Sequence, residues 1–265
     1  MRLHFELVQR ADVGGSVPLV VLHGLFGSSR NWRTVGSRLS ERMSTKVYLM
    51  DMRNHGKSPF SSDDSFLDEY ASDVVETMEL EKHSKLDLIG HSMGGLVGMI
   101  LALNNPQRVR KLVVEDVSPS WSQVKTRTDR YFEVMQNVNE SEITDRKSVR
   151  EMLLKEEKNE RIVDFLLMNV RKEGEKYYKF DLPLRSLQSD SYNAKRYEWQ
   201  KYSSVDVSAL FLKGEKSEYI DTEGFDRSKI LFPNASLKEI SGCGHWIHSE
   251  KPDEFISAVS EFLKD

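Results

Sequence analysis

Residues 85–95 read KLDLIGHSMGG, and this stretch decides the fold. A short apolar strand leads into Gly90-x-Ser92-x-Gly94, and an apolar, helix-forming stretch follows from Leu96 to Leu103. A serine between two glycines at a strand-to-helix turn has a strained backbone that lifts its hydroxyl above the sheet, and the glycines allow neighbouring segments to approach closely. The pattern therefore predicts a nucleophile elbow at Ser92.

The composition fits one α/β domain with an insertion. The 265 residues include 38 Lys plus Arg and 42 Asp plus Glu, a net charge of -4, and this near balance predicts no nucleic-acid partner and no anionic membrane surface. The single cysteine, Cys243, cannot form an internal disulfide, which favours a reducing compartment. No apolar run reaches the roughly 20 residues that span a bilayer, and the start lacks the apolar core of a secretory signal. We expect a cytoplasmic protein, or a mitochondrial matrix protein if a presequence has been removed. The oligomeric state is left open.

Apolar and β-branched runs alternate with helical patterns along most of the chain, which indicates an α/β fold. Some of these runs are apolar throughout, as expected for parallel strands covered by helices on both faces. Strands are predicted at Phe5–Val8, Pro18–Leu22, Lys46–Met50, Leu86–Ile89, Lys111–Val114, Ser208–Leu212 and Ser236–Ile240, and helices at Trp32–Met43, Phe66–Leu80, Leu96–Leu103, Thr222–Leu231 and Pro252–Leu263.

The alternation stops between about Ser118 and Ser204, where the sequence is rich in charge and shows helical groupings without a convincing strand. An insertion after a strand of an α/β sheet lies over the carboxyl ends of the strands, where ligands bind in such folds. We therefore predict an α/β core formed by residues 1–117 and 205–265 and a helical cap, or lid, formed by residues 118–204.

A serine nucleophile needs a base, and the base needs an orienting carboxylate. His245 is the predicted base because it lies in the tight loop 242–246, after the last apolar run and before the final helix, so that the chain order is nucleophile, acid, base. His248 is expected to pack or to form local hydrogen bonds. The side chain of His91 should point away from the cleft that Ser92 faces.

The stretch HGLFG at residues 23–27 directly follows another apolar strand. An acyl-transfer intermediate carries negative charge on one oxygen, and two backbone N–H groups usually stabilise it. The amides of Leu25 and Met93 are the predicted donors, since Met93 follows the nucleophile at the start of a helix, where the dipole favours negative charge. Phe26, Trp121 and Trp246 are the candidates to line an apolar substrate pocket, and packing in the core is the alternative for each.

Four motifs now occur in order: HGLFGS at 23–28, DMRNHGKS at 51–58, GHSMGG at 90–95 and GHWIHSEKP at 244–252. This set resembles the α/β-hydrolase superfamily over nearly the whole chain. Within it, the chain resembles the branch of small bacterial acyl esterases and mitochondrial abhydrolase-domain proteins, including yeast ethanol acetyltransferases. The resemblance implies a mostly parallel central sheet with helices on both faces and a helical cap.

The acid departs from the commonest pattern of the superfamily, which places an Asp after the seventh strand, where this chain has Ser217. A serine cannot stabilise an imidazolium as a carboxylate does. Asp116 ends the preceding strand, and because neighbouring strands lie about 4.8 Å apart, its carboxylate can reach the same histidine. Branch members resembling this chain also place their acid there. Asp116 is therefore the predicted acid, with Glu218, Glu215 and Glu115 as alternatives.

These residues predict a serine hydrolase that cleaves carboxylic esters of short to medium acyl chains through an acyl-enzyme on Ser92, with thioesters as further substrates. No cofactor is expected. No metal is expected either, because the Asp and His residues of the 51–58 loop lack further ligands at suitable spacing and are better explained as a hydrogen-bonded turn. The partner would be a small acyl ester or thioester. An alcohol acyltransferase with the same triad and a ligand-binding, receptor-like protein are the alternatives.

Overall fold

Seven of the nine strands in the described residues lie where the apolar runs predict them. The computed structural model of the chain describes residues 1–9, 17–61, 64–120, 128–174 and 176–264. In chain order, the strands of these ranges are β1 (Phe5–Val8), β2 (Leu19–Leu22), β3 (Val47–Met50), β4 (Leu86–His91), β5 (Val109–Glu115), β6 (Val170–Glu173), β7 (Tyr177–Phe180), β8 (Ser208–Gly214) and β9 (Ser236–Ile240).

Seven of these strands form one central sheet in the order β1-β3-β2-β4-β5-β8-β9. Strand β1 runs antiparallel to β3, and the other neighbouring pairs are parallel. The inner strands β2, β3 and β4 are buried along their whole length. The carboxyl ends of β4, β5 and β8 therefore meet at one edge of the sheet, directly beside one another.

Helices cover both faces of the sheet. Buried residues of α1 (Arg33–Met43) and α10 (Pro252–Leu263) pack with one face, and those of α2 (Leu67–Leu80) and α3 (Met93–Asn104) pack with the other. Within the described ranges, none of the helices combines the length and the apolar character that a bilayer crossing requires. The helices are α1 (Arg33–Met43), α2 (Leu67–Leu80), α3 (Met93–Asn104), α4 (Thr128–Glu140), α5 (Arg146–Glu156), α6 (Glu160–Leu167), α7 (Leu184–Lys195), α8 (Thr222–Leu231), α9 (Ile247–Glu250) and α10 (Pro252–Leu263).

Between β5 and β8 the chain forms α4 to α7 and an antiparallel hairpin of β6 and β7. The sequence predicted helices in this region but not the hairpin, because its strands read VRKE and YYKF and lack an alternating apolar pattern. Apolar residues of these elements form a cluster of their own, which includes Phe132 and Leu187 and which Phe26 joins from the core. The division into a core and a cap at residues 118–204 remains a prediction, which this separate cluster supports.

The junction between β4 and α3 depends on the absence of a side chain at Gly94. A Cβ atom added there would lie 2.3 Å from the carbonyl oxygen of Leu22 in β2, which is rigid backbone. We expect Gly94→Ala to lower the free energy of unfolding by about 3 kcal/mol, the upper range for overpacking a core.

Gly98 in the same helix provides the matched control. A Cβ atom there would lie 3.0 Å from the flexible end of Leu112, and alanine gains about 1 kcal/mol of helix propensity over glycine. Gly98→Ala should therefore change the stability by less than about 1 kcal/mol in urea unfolding. Equal effects of the two substitutions would contradict this account of the junction.

Candidate active site

Ser92 lies at the junction of β4 and α3 with φ of 51° and ψ of −118°, a conformation that side-chain-bearing residues rarely adopt. Its amide donates to the Glu115 carbonyl at 2.9 Å, which fixes the turn against β5. A Cβ atom at Gly90 would lie 2.2 Å from the Gly94 carbonyl oxygen, so the strand and the helix approach too closely for any other residue. The elbow therefore has the strained backbone that the sequence predicts.

Asp116 follows β5 with φ of 54°, and its carboxylate is fully buried. One oxygen accepts the Gly214 amide at 3.0 Å, and the other accepts His245 Nδ1–H at 2.8 Å and the Ser217 hydroxyl. A buried carboxylate is stable when donors satisfy its oxygens. The residue at the superfamily's usual acid position thus contributes a donor to the acid, a role of Ser217 that the sequence did not reveal.

The other carboxylates considered as the acid lie elsewhere. Glu215 and Glu218 are exposed, and Glu215 accepts the Gly242 amide at 2.7 Å. Glu115 is fully buried but accepts hydrogen bonds from His248. Among these four residues, Asp116 is the one hydrogen-bonded to His245.

His245 is oriented by its neighbours. Because a carboxylate only accepts, the bond to Asp116 places a proton on Nδ1 and leaves Nε2 as the acceptor nitrogen when the ring is neutral. Tyr219 stacks on the imidazole with ring centroids 4.1 Å apart, a contact with no signal in the sequence. Burial, followed by the charge of Asp116, raises the pKa of Tyr219 to about 12, so that its phenol stays neutral.

The hydroxyl of Ser92 forms no hydrogen bond with His245 within the described residues. His91 connects the two residues, because it directly precedes Ser92 in the chain and its Nε2–H donates to the His245 carbonyl at 2.9 Å. Catalytic hydrogen bonds are often long in unliganded enzymes and tighten when the substrate binds. The structure thus leaves His245 with an acceptor nitrogen and binds its backbone to the residue that precedes Ser92.

Glu115 and His248 form a second His–carboxylate pair next to that of Asp116 and His245. The Glu115 carboxylate accepts from the His248 amide at 2.8 Å and from His248 Nδ1 at 2.9 Å. Ligand-type atoms of His91, Glu115 and His248 lie within 4.8 Å of one another, as in a metal site. However, the Nε2 of His91 and the Nδ1 of His248 already bind protein acceptors. We therefore interpret the group as a hydrogen-bonded cluster.

The 51–58 loop braces the site as a hydrogen-bonded turn, as predicted. The Asp51 carboxylate accepts the amides of Ser29 at 2.6 Å and Lys57 at 2.9 Å. His55 Nε2 accepts the Phe26 amide at 3.2 Å, which fixes the segment that carries the Leu25 amide. Burial lowers the pKa of His55 to about 3, so that its Nε2 stays an acceptor at neutral pH.

Two cavities adjoin the site. The narrower one, of about 60 Å³, is lined by Ser92, Leu25 and Met93 together with residues of α2, α3 and α7. Neither the Leu25 amide nor the Met93 amide donates to a protein acceptor in the described part of the chain. Both amides are therefore free to bind an oxygen in this cavity. The larger cavity, of about 630 Å³, lies beside His91 and His248 and is walled by α6 and α9.

The three predicted pocket residues have different positions. Trp246 lines the larger cavity, and its ring lies 5.1 Å from that of His245. Phe26 does not line either of these cavities, because it packs against Phe132 with ring centroids 5.0 Å apart, inside the cluster of α4 to α7. Trp121 lies outside the described residues.

Comparisons with known proteins agree with this architecture. Residues 17–252 match the model of a family with the α/β-hydrolase fold, and the chain belongs to this family. The chain is 36% identical over 255 residues to an sn-1-specific diacylglycerol lipase of Danio rerio, covering 95% of this chain and 80% of the relative. It is 32% identical to the esterase YbfF of Escherichia coli K12, with both chains covered completely. A marine microorganism esterase of known structure has a TM-score of 0.89 at 32% identity, with 99% of each chain covered.

A further relative bears on the type of reaction. The chain is 31% identical over 268 residues to a probable alcohol acetyltransferase of Saccharomyces cerevisiae, covering 93% of this chain and 77% of the relative. Together these relatives place the chain among the esterase- and lipase-type α/β hydrolases, and the suspected family is confirmed.

The buried imidazoles make the stability dependent on pH. Burial lowers the pKa of His55, His91 and His248 to about 3, whereas an unfolded imidazole titrates near 6.5. Their contribution is therefore complete above about pH 6.5 and is lost as the pH falls. Burial raises the pKa of Glu115 to about 7. Its contribution to the free energy of unfolding therefore increases as the pH falls, but it is one group against three histidines. We expect the free energy of unfolding to fall by roughly 2 to 4 kcal/mol between about pH 7 and pH 5.

Urea unfolding at the two pH values measures this change. In His248→Asn one buried imidazole is removed, and the loss between the two pH values should be smaller than in the wild type. A free energy of unfolding that is equal at both pH values, or larger at the lower one, would contradict neutral imidazoles in the folded protein.

Proposed function

We propose that the protein hydrolyses carboxylic esters through an acyl-enzyme on Ser92. The observation that carries this proposal is the buried hydrogen bond of 2.8 Å between Asp116 and His245, beside a serine in a strained elbow. A buried carboxylate that holds an imidazole with its second nitrogen free is the arrangement that activates a serine as nucleophile. The esterase and lipase relatives support the same chemistry.

In the proposed reaction, Ser92 Oγ attacks the acyl carbonyl carbon while His245 Nε2 takes its proton. Asp116 holds the imidazole in the required tautomer and stabilises its positive charge. The amides of Leu25 and Met93 receive the developing oxyanion at the amino end of α3. His245 then returns the proton to the leaving oxygen or sulfur, and a water activated by the same base releases the acid.

The shape of the narrow cavity favours short acyl groups. Its volume is about 60 Å³, and Leu96 and Val117 are among its apolar wall residues near Ser92. A long, straight chain would need the cap helices to move apart. We therefore propose acetyl to butyryl esters as better substrates than long-chain esters.

Transfer of the acyl group to an alcohol is the second candidate. It is favoured by the similarity to a probable alcohol acetyltransferase and by the fact that an alcohol can replace water at the same acyl-enzyme. Adding ethanol to the reaction and measuring ethyl ester against free acid separates the two. Thioesters would follow the same route with a thiol as the leaving group.

A protein that only binds ligands in this pocket would have the fold without the chemistry. A fluorophosphonate probe distinguishes the two, because it modifies an activated serine and leaves an ordinary one unmodified. Labelling that is lost in Ser92→Ala supports catalysis. An unlabelled wild type that also turns over no p-nitrophenyl ester would favour the binding protein.

The assignment of the acid gives a prediction for the rate. Asp116→Asn keeps the shape but lets the imidazole adopt the wrong tautomer, so we expect kcat for p-nitrophenyl acetate to fall by about 10³- to 10⁴-fold. Glu218 is exposed and lies next to Ser217, the position where the superfamily usually has its acid. The kcat of Glu218→Gln should stay within about twofold of the wild type. A loss of several orders of magnitude in Glu218→Gln alone would overturn the assignment, provided that circular dichroism shows both variants folded.

A further inference from the structure

We propose that Glu115 and His248 form a positioning pair that holds the loop carrying His245 and thereby orients the catalytic imidazole. This inference rests on the proposed function and adds two residues to it. Neither residue faces the cavity beside Ser92, and neither is needed by the proton transfers described above.

Glu115 is the last residue of β5 and Asp116 directly follows it with φ of 54°, and the two carboxylates bind different partners. Asp116 reaches the imidazole of His245, and Glu115 reaches the amide and the imidazole of His248, three residues further on. The same strand end thus holds the segment between residues 245 and 248 at two points. If the second point were lost, the segment could rotate about the first.

Contacts around His248 transmit this restraint to His245. The His248 ring stacks on Trp32 with centroids 4.1 Å apart and meets the His91 ring edge to face at 5.0 Å. His91 in turn donates to the His245 carbonyl at 2.9 Å and directly precedes Ser92 in the chain. Through His91, the pair of Glu115 and His248 is therefore in contact with the segments that carry both the base and the nucleophile.

The physical cost of Glu115 argues against a passive role in packing. A fully buried carboxylate is costly even when hydrogen bonds satisfy it, and an apolar residue of similar size would be at least as stable. Burial accordingly raises the pKa of Glu115 to about 7 and lowers that of His248 to about 3. Such a group in the core is accounted for if its charge and its two acceptor oxygens position a working part of the site.

Glu115 lies among four other titratable groups. These groups are His91 from β4, Asp116, which directly follows β5, and His245 and His248 from the segment before and within α9. An ionised Glu115 stabilises the imidazolium form of His245.

The test compares Glu115→Gln with Asp87→Asn. Asp87 is another buried carboxylate on β4, paired with Arg110 of β5 at 2.6 Å, at the end of the sheet far from Ser92. Each substitution removes a buried carboxylate from one of two neighbouring strands, β4 or β5. A general loss of stability should therefore affect the two variants alike. We expect Glu115→Gln to lower kcat for p-nitrophenyl acetate by about 10- to 100-fold with little change in KM, as for a small misplacement of a catalytic group. Asp87→Asn should stay within about threefold.

A second pair of variants tests His248. The side-chain amide of Asn can replace the Nδ1–H donor to Glu115, whereas Leu cannot. His248→Asn should therefore retain most of the wild-type kcat, and His248→Leu should behave like Glu115→Gln. If His248→Leu does not fold, Glu115→Gln and His248→Asn still decide the question.

A readout without turnover separates this inference from the proposed function. The hydrogen-bonded Nδ1–H proton of His245 gives a downfield NMR resonance, assigned by its loss in His245→Asn, and we expect it to shift and broaden in Glu115→Gln but not in Asp87→Asn. If the wild type neither cleaves esters nor reacts with a fluorophosphonate, the proposed function fails while the NMR result still stands. A His245 resonance that is unchanged in Glu115→Gln and in His248→Leu would overturn the positioning pair. An unchanged kcat in Glu115→Gln would do the same.

Discussion

The carboxylate of Asp116 joins three segments of the chain that are far apart in sequence. It accepts the Gly214 amide at the end of β8, the Ser217 hydroxyl of the turn that follows and the Nδ1–H of His245 beyond β9. These bonds fully satisfy a buried charge that would otherwise be too costly to keep. The position of the base therefore depends on this carboxylate, which lies where the neighbouring strands β5 and β8 end.

The end of β5 has a second function, because Glu115 and the next residue, Asp116, bind different histidines. Glu115 and Asp116 diverge to two histidines on one short segment, so that a single strand end fixes both the imidazole of His245 and the loop that carries it. The Ser92 amide binds the Glu115 carbonyl at 2.9 Å, which ties the nucleophile to the same place. The nucleophile and the base are therefore both held in place by the end of β5.

Local patterns predicted most of the fold and the site because each signal lies in a short stretch. The elbow at Ser92, the loop of His245 and the apolar strands are patterns of a few residues, and the structure contains each of them. Contacts between distant segments had no such signal. The pairing of Glu115 with His248, the hydroxyl of Ser217 on Asp116 and the stacking of Tyr219 on His245 follow from the sheet order and become visible only in three dimensions.

The region between β5 and β8 was predicted least well, because its strands also lack a local sequence pattern. Strand β6 is short and its last three residues are charged and exposed, whereas β7 is half-buried up to the buried Phe180. Neither apolar alternation nor length therefore distinguishes these strands from loops. Phe26 lies in an apparent site motif, yet its ring packs into the cluster of the inserted helices. An aromatic residue beside a catalytic motif can line a pocket or fill a core, and the sequence does not distinguish these outcomes.

The central claim is that Ser92 becomes acylated during turnover. Mixing the protein with p-nitrophenyl acetate, quenching in acid and mapping the peptides by mass spectrometry measures this most directly. We predict one acetyl group on the peptide that contains Ser92, absent from Ser92→Ala. An acetyl group on another residue, or turnover in Ser92→Ala at the wild-type rate, would contradict the account.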